Sequence, residues 1–301
     1  MSGPPRMHDH EIEVSAALVA RLVATQCPQW AGLPLRRVAS AGTDNAVYRL
    51  GEALLVRLPR VDWAAEDVAK EQTWLPRLAP HLPVAVPPPL FAGGPGEGYP
   101  FPWAVYRWLP GPEATLETVR DGHEFARDLA RFILALRRLP APHGEAPLGS
   151  RGVPLRTRDD ATRHAIAGCA ALGLLDPDPV TAAWEGALAA PVWAGPPTWL
   201  HGDLKPGNLL AQGGRLSAVI DWSALTLGDP AADLLPAWNL LDPATRATFR
   251  AALAPDDATW ARGRGWALSV GLLAWPYYRH TNPELARISQ RQIQAVMSEE
   301  R

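Results

Sequence analysis

In residues 11–26 the apolar positions Val14, Ala17, Leu18, Leu22 and Val23 recur at helical spacing, which predicts a first helix with one face turned toward a core. The period then shortens. Apolar and β-branched runs at 35–40, 46–50 and 53–58 predict three strands, with Gly51 and Glu52 making a tight hairpin turn between the last two. Residues 62–78 return to helical spacing. Residues 84–91 and 101–108 predict two further strands, the first broken by three consecutive prolines at 87–89 and joined to the second by the turn GGPGEGYP. The expectation is an antiparallel five-stranded sheet carrying an inserted helix.

LPGPEAT, residues 109–115, is a proline- and glycine-rich link that divides the chain into 1–108 and 109–301. Beyond it helical periodicity dominates at 125–139, 158–174 and 180–190. A short β region at 198–221 follows, then helices at 230–241, 243–253, 258–275 and 283–297, three of them with proline at or near the first turn. The fold class expected is α+β, with a mainly helical second part and no internal repeat.

Composition narrows the function. The 301 residues hold 29 Lys plus Arg against 31 Asp plus Glu, a net charge of -2, so no global field favours nucleic acid or an anionic membrane. Small molecules are the expected partners. Two cysteines, Cys27 and Cys169, are too few for a disulfide framework and have no metal-ligand spacing, which suits a reducing cytoplasm. The first residues lack an apolar export segment, and no run reaches membrane-spanning length. A soluble cytoplasmic protein, monomeric or weakly dimeric, is expected.

The chemistry concentrates in HGDLKPGNLL, 201–210, and in the VIDW that follows. Asp203 and Asn208 share one loop broken by proline and glycine, while Asp221 comes thirteen residues after Asn208, at the end of the apolar run LSAVI. An amide oxygen and a carboxylate from a loop and a strand end suit Mg²⁺, which takes few protein oxygens and fills its shell from water and phosphate. A second carboxylate beside them is free to accept a proton from a hydroxyl. Singly, Asp203 and Asn208 would also suit a turn whose side chains cap backbone amides. The whole spaced set, closed by GDPAAD, favours the chemical reading.

HGDLKPGNLL, VIDW and GDPAADL together resemble the signature of the aminoglycoside phosphotransferase family, whose fold and phosphoryl-transfer machinery are similar to those of protein kinases. The resemblance implies a bilobal kinase-like fold: a nucleotide-binding N-terminal lobe, 1–108, and a catalytic and substrate-binding lobe, 109–301. It implies transfer of the γ-phosphoryl group of ATP or GTP, with Mg²⁺, to a hydroxyl of a small molecule. Asp203 would be the catalytic base, Asn208 and Asp221 the Mg²⁺ ligands, and His201 a packed residue orienting the loop. Lys205, where protein kinases often have lysine, would neutralise charge on the transferred phosphoryl. Asp229 reads as a helix N-cap, and Asp233 would hydrogen-bond the catalytic loop from beneath.

In the first lobe, AGTDNAVYRL occupies the place of a phosphate-covering hairpin, where Gly42, Thr43 and Asn45 form a tight turn with backbone N–H groups free for phosphate. The stretch ALLVRLPR has Arg57 where kinases carry a lysine, and similar arginine-bearing segments occur in the macrolide phosphotransferase branch. Glu71 is its expected ion-pair partner. The base would meet the backbone of Arg107 and Leu109, with Tyr106 beside the pocket.

The acceptor is the least determined part. An aminoglycoside-type antibiotic would want carboxylates, and Asp159, Asp160, Asp176, Asp178, Asp242, Asp256 and Asp257 are available. A macrolide would want an apolar floor, for which the second lobe has many aromatics, including Trp184, Trp238, Trp260 and Trp266. Kinases of choline or sugar-like metabolites share the same motifs, and a nucleotide-binding regulator without catalysis is the reading from another class.

Overall fold

In the computed structural model, which describes residues 11–38, 44–115, 117–119, 121–142, 146–147 and 149–299, the first helix begins later than its periodicity predicts. Ser15 caps α1 (Ala16–Gln26) by accepting from the Leu18 N–H at 3.2 Å. Residues before it are held otherwise: the Ile12 N–H donates to the Arg60 carbonyl, and the Arg60 guanidinium pairs with Glu11.

The five strands are β1 (Leu35–Arg37), β2 (Asn45–Leu50), β3 (Leu54–Pro59), β4 (Pro89–Gly93) and β5 (Trp103–Arg107), in the order β1-β2-β3-β5-β4 and antiparallel throughout. Alternation decides which side chains face which way. Ala46, Tyr48, Leu50, Leu54, Val56 and Leu58 are buried with α1 residues Val19, Leu22 and Val23 in one core. The pairing Val47↔Arg57 puts the other face under Arg57. A one-residue slip would send Arg57 into that core and expose side chains worth about 2 kcal/mol each in burial, so the register is strongly specified. The fourth strand begins later than expected, at Pro89, because three successive prolines have no N–H for the ladder. It ends at Gly93, where a Cβ would lie 2.1 Å from the Trp103 ring. Helix α2 (Ala65–Leu78) follows β3 after a single 3₁₀ turn at Asp62–Ala64.

The chain divides into two units, one running to Gly111 and including Ala218–Ser223, the other formed by Pro112–Ser217 and the residues from Ala224 onward. The second unit carries α3 (Gly122–Arg137), α4 (Asp159–Ala171), α5 (Pro177–Leu188), the short strands β6 (Thr198–Leu200), β7 (Leu209–Gln212), β8 (Arg215–Val219, whose last two residues belong to the first unit) and β9 (Thr226–Gly228), and the helices α6 (Pro236–Asn239), α7 (Pro243–Leu253), α8 (Asp257–Tyr278) and α9 (Pro283–Ser298). Asp121, Asp176, Asp242, Asp256 and Asn282 cap α3, α5, α7, α8 and α9 through side-chain oxygens. The helix expected at 230–241 is instead a 3₁₀ turn, Pro230–Leu234, followed by α6, because Pro236 lacks the N–H that would continue the ladder. Trp184, Trp199, Trp238, Trp266, Phe125, Phe132 and Phe249 are almost wholly buried in this unit. Among the described residues no helix is long and apolar enough to cross a membrane.

Candidate active site

Strands β6 and β9 pair antiparallel through Thr198↔Gly228, Trp199↔Leu227 and Leu200↔Thr226. The chain leaves β6 directly into His201, Gly202 and Asp203. Gly202 has φ 83°, and a Cβ there would come 2.5 Å from the Ala224 carbonyl oxygen, so only glycine fits the turn. The Asp233 carboxylate accepts the His201 N–H at 2.8 Å and the Gly202 N–H at 2.7 Å. Asp233 thus supports the loop as its motif implied, and Asp229 caps the following turn at the Ala231 N–H. Burial pushes the Asp233 carboxyl above its usual range against the pull of His201, those N–H groups and Arg137. His201 is fully buried and its Nδ1 accepts the Asp203 N–H at 3.3 Å, while Asn239 Nδ2 donates to the Leu204 carbonyl at 2.9 Å.

So fixed, the loop holds Asp203 with about a fifth of its side chain exposed (21%). Its two oxygens differ. Oδ2 accepts Lys205 Nζ at 2.6 Å and Asn208 Nδ2 at 3.0 Å, and the same Asn208 nitrogen donates to the Asp203 carbonyl at 2.8 Å. Among the described residues Oδ1 has no hydrogen bond, and it faces Arg151 Nη2 at 3.9 Å. Burial raises the carboxyl's pKa, but Lys205 and Arg151, with the Lys205 hydrogen bond, outweigh it and hold the group at about 2. Asn208 Nδ2 thus makes both its bonds to Asp203, and Asn208 Oδ1 has no hydrogen bond among the described residues.

Arg151 has no motif, and sequence reasoning missed it. A strap, Gly149–Pro154, carries it. The Gly152 carbonyl accepts the Asp229 N–H at 2.8 Å, and Gly152 has φ 71°, with a Cβ site 2.3 Å from Leu200 Cδ1 and 3.0 Å from the Gly228 Cα. Gly152→Ala is expected to lower stability by about 1–3 kcal/mol, from left-handed strain and this overlap. Urea unfolding of the two proteins measures it, and an unchanged midpoint would contradict the close packing.

In the first unit, Gly42 and Thr43 lie outside the described residues. Asn45 opens β2 opposite Pro59, and its Oδ1 is buried without a partner among the described residues. Arg57 on β3 is buried, and its Nη1 pairs with Glu71 Oε1 at 2.7 Å and lies 3.6 Å from Asp221 Oδ1. Its Nε and Nη2 are buried with no acceptor among the described residues. Burial alone would lower the Arg57 pKa, yet Glu71 first, then Asp221 and Tyr106, hold it above the ordinary arginine value. The Tyr106 hydroxyl donates to the other Glu71 oxygen, so this side chain lies in the ion-pair cluster. Asp221 has φ 59° and accepts the Ser223 hydroxyl at 2.9 Å, and Lys70, one residue before Glu71 and also unforeseen, donates to the Ser223 carbonyl. The Arg107 N–H is taken by the Pro88 carbonyl at 3.1 Å, whereas the Leu109 N–H has no acceptor among the described residues. Val47 and Leu55 share the Arg57 face and are only partly buried, which strand alternation alone would have indicated.

Most of the features weighed for the acceptor serve the fold. Trp184, Trp238, Trp260 and Trp266 are core. Asp176, Asp242 and Asp256 are helix caps, Asp159 binds Arg163 and the Trp184 indole, and Asp257 pairs with Arg250.

A model of the phosphotransferase enzyme family matches residues 36–266. No curated protein sequence matches the chain. Among solved structures, the GDP complex of an aminoglycoside 2'-phosphotransferase-IIIa is similar with a TM-score of 0.71 at 17% identity, covering 96% of this chain and 100% of that one. The GDP and kanamycin complex of an APH(2")-III enzyme gives 0.69 at 17% identity, covering 94% and 99%. The macrolide 2'-phosphotransferase MphH from Brachybacterium faecium gives 0.59 at 22% identity, covering 92% and 97%. At such identities the likeness is one of fold: a five-stranded antiparallel sheet followed by a mainly helical part, the kinase-like arrangement that the motifs implied.

Proposed function

Because the chain belongs to the phosphotransferase enzyme family, we propose that it transfers the γ-phosphoryl group of ATP or GTP to a hydroxyl of a small molecule, with aminoglycoside-type antibiotics as the first acceptor class. The observation that carries the reading is the asymmetry of Asp203, ionised, with Oδ2 occupied by Lys205 and Asn208 and Oδ1 without a hydrogen bond among the described residues. Asp203 Oδ1 orients the acceptor hydroxyl and takes its proton as the acceptor oxygen bonds to the γ-phosphorus. The bond from that phosphorus to the β–γ bridging oxygen breaks, and its electron pair leaves with the nucleoside diphosphate. Lys205 stays on Oδ2 and lowers the negative potential that the transferred group meets.

Two features suit a nucleotide phosphate. Arg57 keeps two buried donors, Nε and Nη2, without an acceptor among the described residues, and its delocalised charge matches phosphate geometry. By the family resemblance, Gly42, Thr43 and Asn45 would offer N–H groups to the phosphates, while the Leu109 N–H and Arg107 carbonyl would meet the base, beside Tyr106. Glu71 holds Arg57 in place. Asn208 and Asp221 each carry a hard oxygen donor of the kind Mg²⁺ takes, so they would hold the ion, which when bound would neutralise phosphate charge. Free, buried Cys27 and Cys169 suit a cytoplasmic setting.

A macrolide acceptor is the second reading, favoured by the 22% identity with MphH, the higher identity among these three neighbours. Nucleotide consumption with ATP and with GTP, against a panel of aminoglycosides and macrolides, decides. Consumption dependent on an aminoglycoside is expected. Dependence on macrolides alone would install the second reading, and nucleotide binding without consumption on any acceptor would overturn the catalytic proposal.

A further inference from the structure

We infer that Arg151 is a second acceptor-binding residue, holding the reacting hydroxyl between its guanidinium and Asp203 Oδ1. The inference rests on the proposed function, because it takes Asp203 as the base. Lys205 and Asn208 saturate Oδ2, so an entering hydroxyl donates to Oδ1. At 3.9 Å, Arg151 Nη2 is too far from Oδ1 for a direct hydrogen bond. A hydroxyl oxygen about 2.8 Å from each closes that gap with a near right angle at the oxygen, donating its proton to Oδ1 and accepting from Nη2. One lone pair is then engaged by Arg151 and the other is left for phosphorus. When transfer occurs the proton passes to Oδ1, and Arg151 remains protonated throughout.

The structure gives Arg151 little else to do. Among the described residues Asp203 is the carboxylate within ion-pair reach of its guanidinium, and no side-chain hydrogen bond ties it down. Its backbone, by contrast, is closely held. Gly152 and Gly228 lie so near that a Cβ on Gly228 would come 2.5 Å from the Gly152 carbonyl oxygen, and Asp229 hydrogen-bonds the same oxygen. The strap is therefore built onto the strand pair whose β6 end delivers Asp203. Arg158, which neighbours Arg151 electrostatically, is committed elsewhere, to Ser269 and the Trp266 face.

The test is steady-state kinetics of wild type, Arg151→Gln and Arg151→Lys with the acceptor that gives turnover in the panel, beside thermal unfolding. Arg151→Gln is expected to lower kcat/KM for the acceptor by about 10- to 100-fold, the scale of a lost charge-assisted hydrogen bond, while the nucleotide KM stays within about twofold. Arg151→Lys should recover part of the loss, since it keeps a cationic donor. An Arg151→Gln enzyme within about twofold of wild type, a parallel rise in nucleotide KM, a fall in unfolding temperature that matches the lost activity, or a lysine variant no better than glutamine would each overturn the inference alone. A wild type that turns over no acceptor would overturn the proposed function and this inference with it.

Discussion

Asp203→Asn is expected to reduce kcat by about three orders of magnitude, within the range for loss of a positioned general base, while nucleotide affinity changes by less than about twofold. The replacement keeps the shape and one oxygen, and the loop does not depend on the missing charge. His201, Gly202 and Leu204 are held through their backbone atoms by Asp233 and Asn239, and Asn208 can still donate to the residue 203 carbonyl. What disappears is the proton acceptor. The wild-type carboxyl sits at about 2, so Asp203 itself should produce no acidic limb in the kcat profile between about pH 5 and 7. The sign of the stability effect follows from the same depression. Ionised Asp203 contributes stability above the ordinary carboxylate range, and that contribution fades as pH falls toward 2. Single-turnover rates and nucleotide titrations of both proteins check the prediction. An asparagine enzyme with more than about a tenth of the wild-type rate would remove Asp203 from the role of base.

How much of this was legible beforehand depended on whether the information was local. The helix caps at Asp176, Asp242 and Asp256 each precede or adjoin a proline or threonine that marks a first turn, so the helices they start could be read from spacing alone. Asp203 and Asn208 stand out as candidates because one loop continuous in sequence carries both, and Asp221 because it follows the apolar run of β8. Of the seven carboxylates weighed for an acceptor cleft, five have other partners; composition counts charges without showing that they are already spent on N–H groups, an indole and arginines. Pro236 was visible, but the helical pattern on either side of it concealed the break it makes. Arg151 was out of reach, since only the pairing of β6 with β9 and the glycine contact at Gly152 bring it to a carboxylate 52 positions away. Strand alternation held unused information, for it places Val47 and Leu55 on the Arg57 face.

Arg57→Met is expected to do two separable things, one to the fold and one to the nucleotide. Glu71 is 1% exposed, and removing the guanidinium leaves that carboxylate buried with the Tyr106 hydroxyl as its remaining side-chain partner. Breaking one side of a buried pair typically costs about 3–5 kcal/mol, so the urea midpoint should fall clearly. The two unspent donors, Nε and Nη2, disappear as well, and nucleotide affinity should drop by at least about tenfold. A second change separates the effects: in Arg57→Met with Glu71→Met no charge is left buried at this place, and apolar replacement of a whole pair is often neutral or better. The double variant should therefore regain most of the lost stability and none of the nucleotide binding. Arg57→Lys should retain the pairing charge but present a point charge in place of a planar fork, giving intermediate affinity. If the double variant recovers nucleotide binding along with stability, Arg57 is a structural cation only and the phosphates are held elsewhere. If it recovers neither, the Arg57–Glu71 pair is worth more to this unit than an apolar pair of the same volume, and the nucleotide role must be judged from the lysine variant.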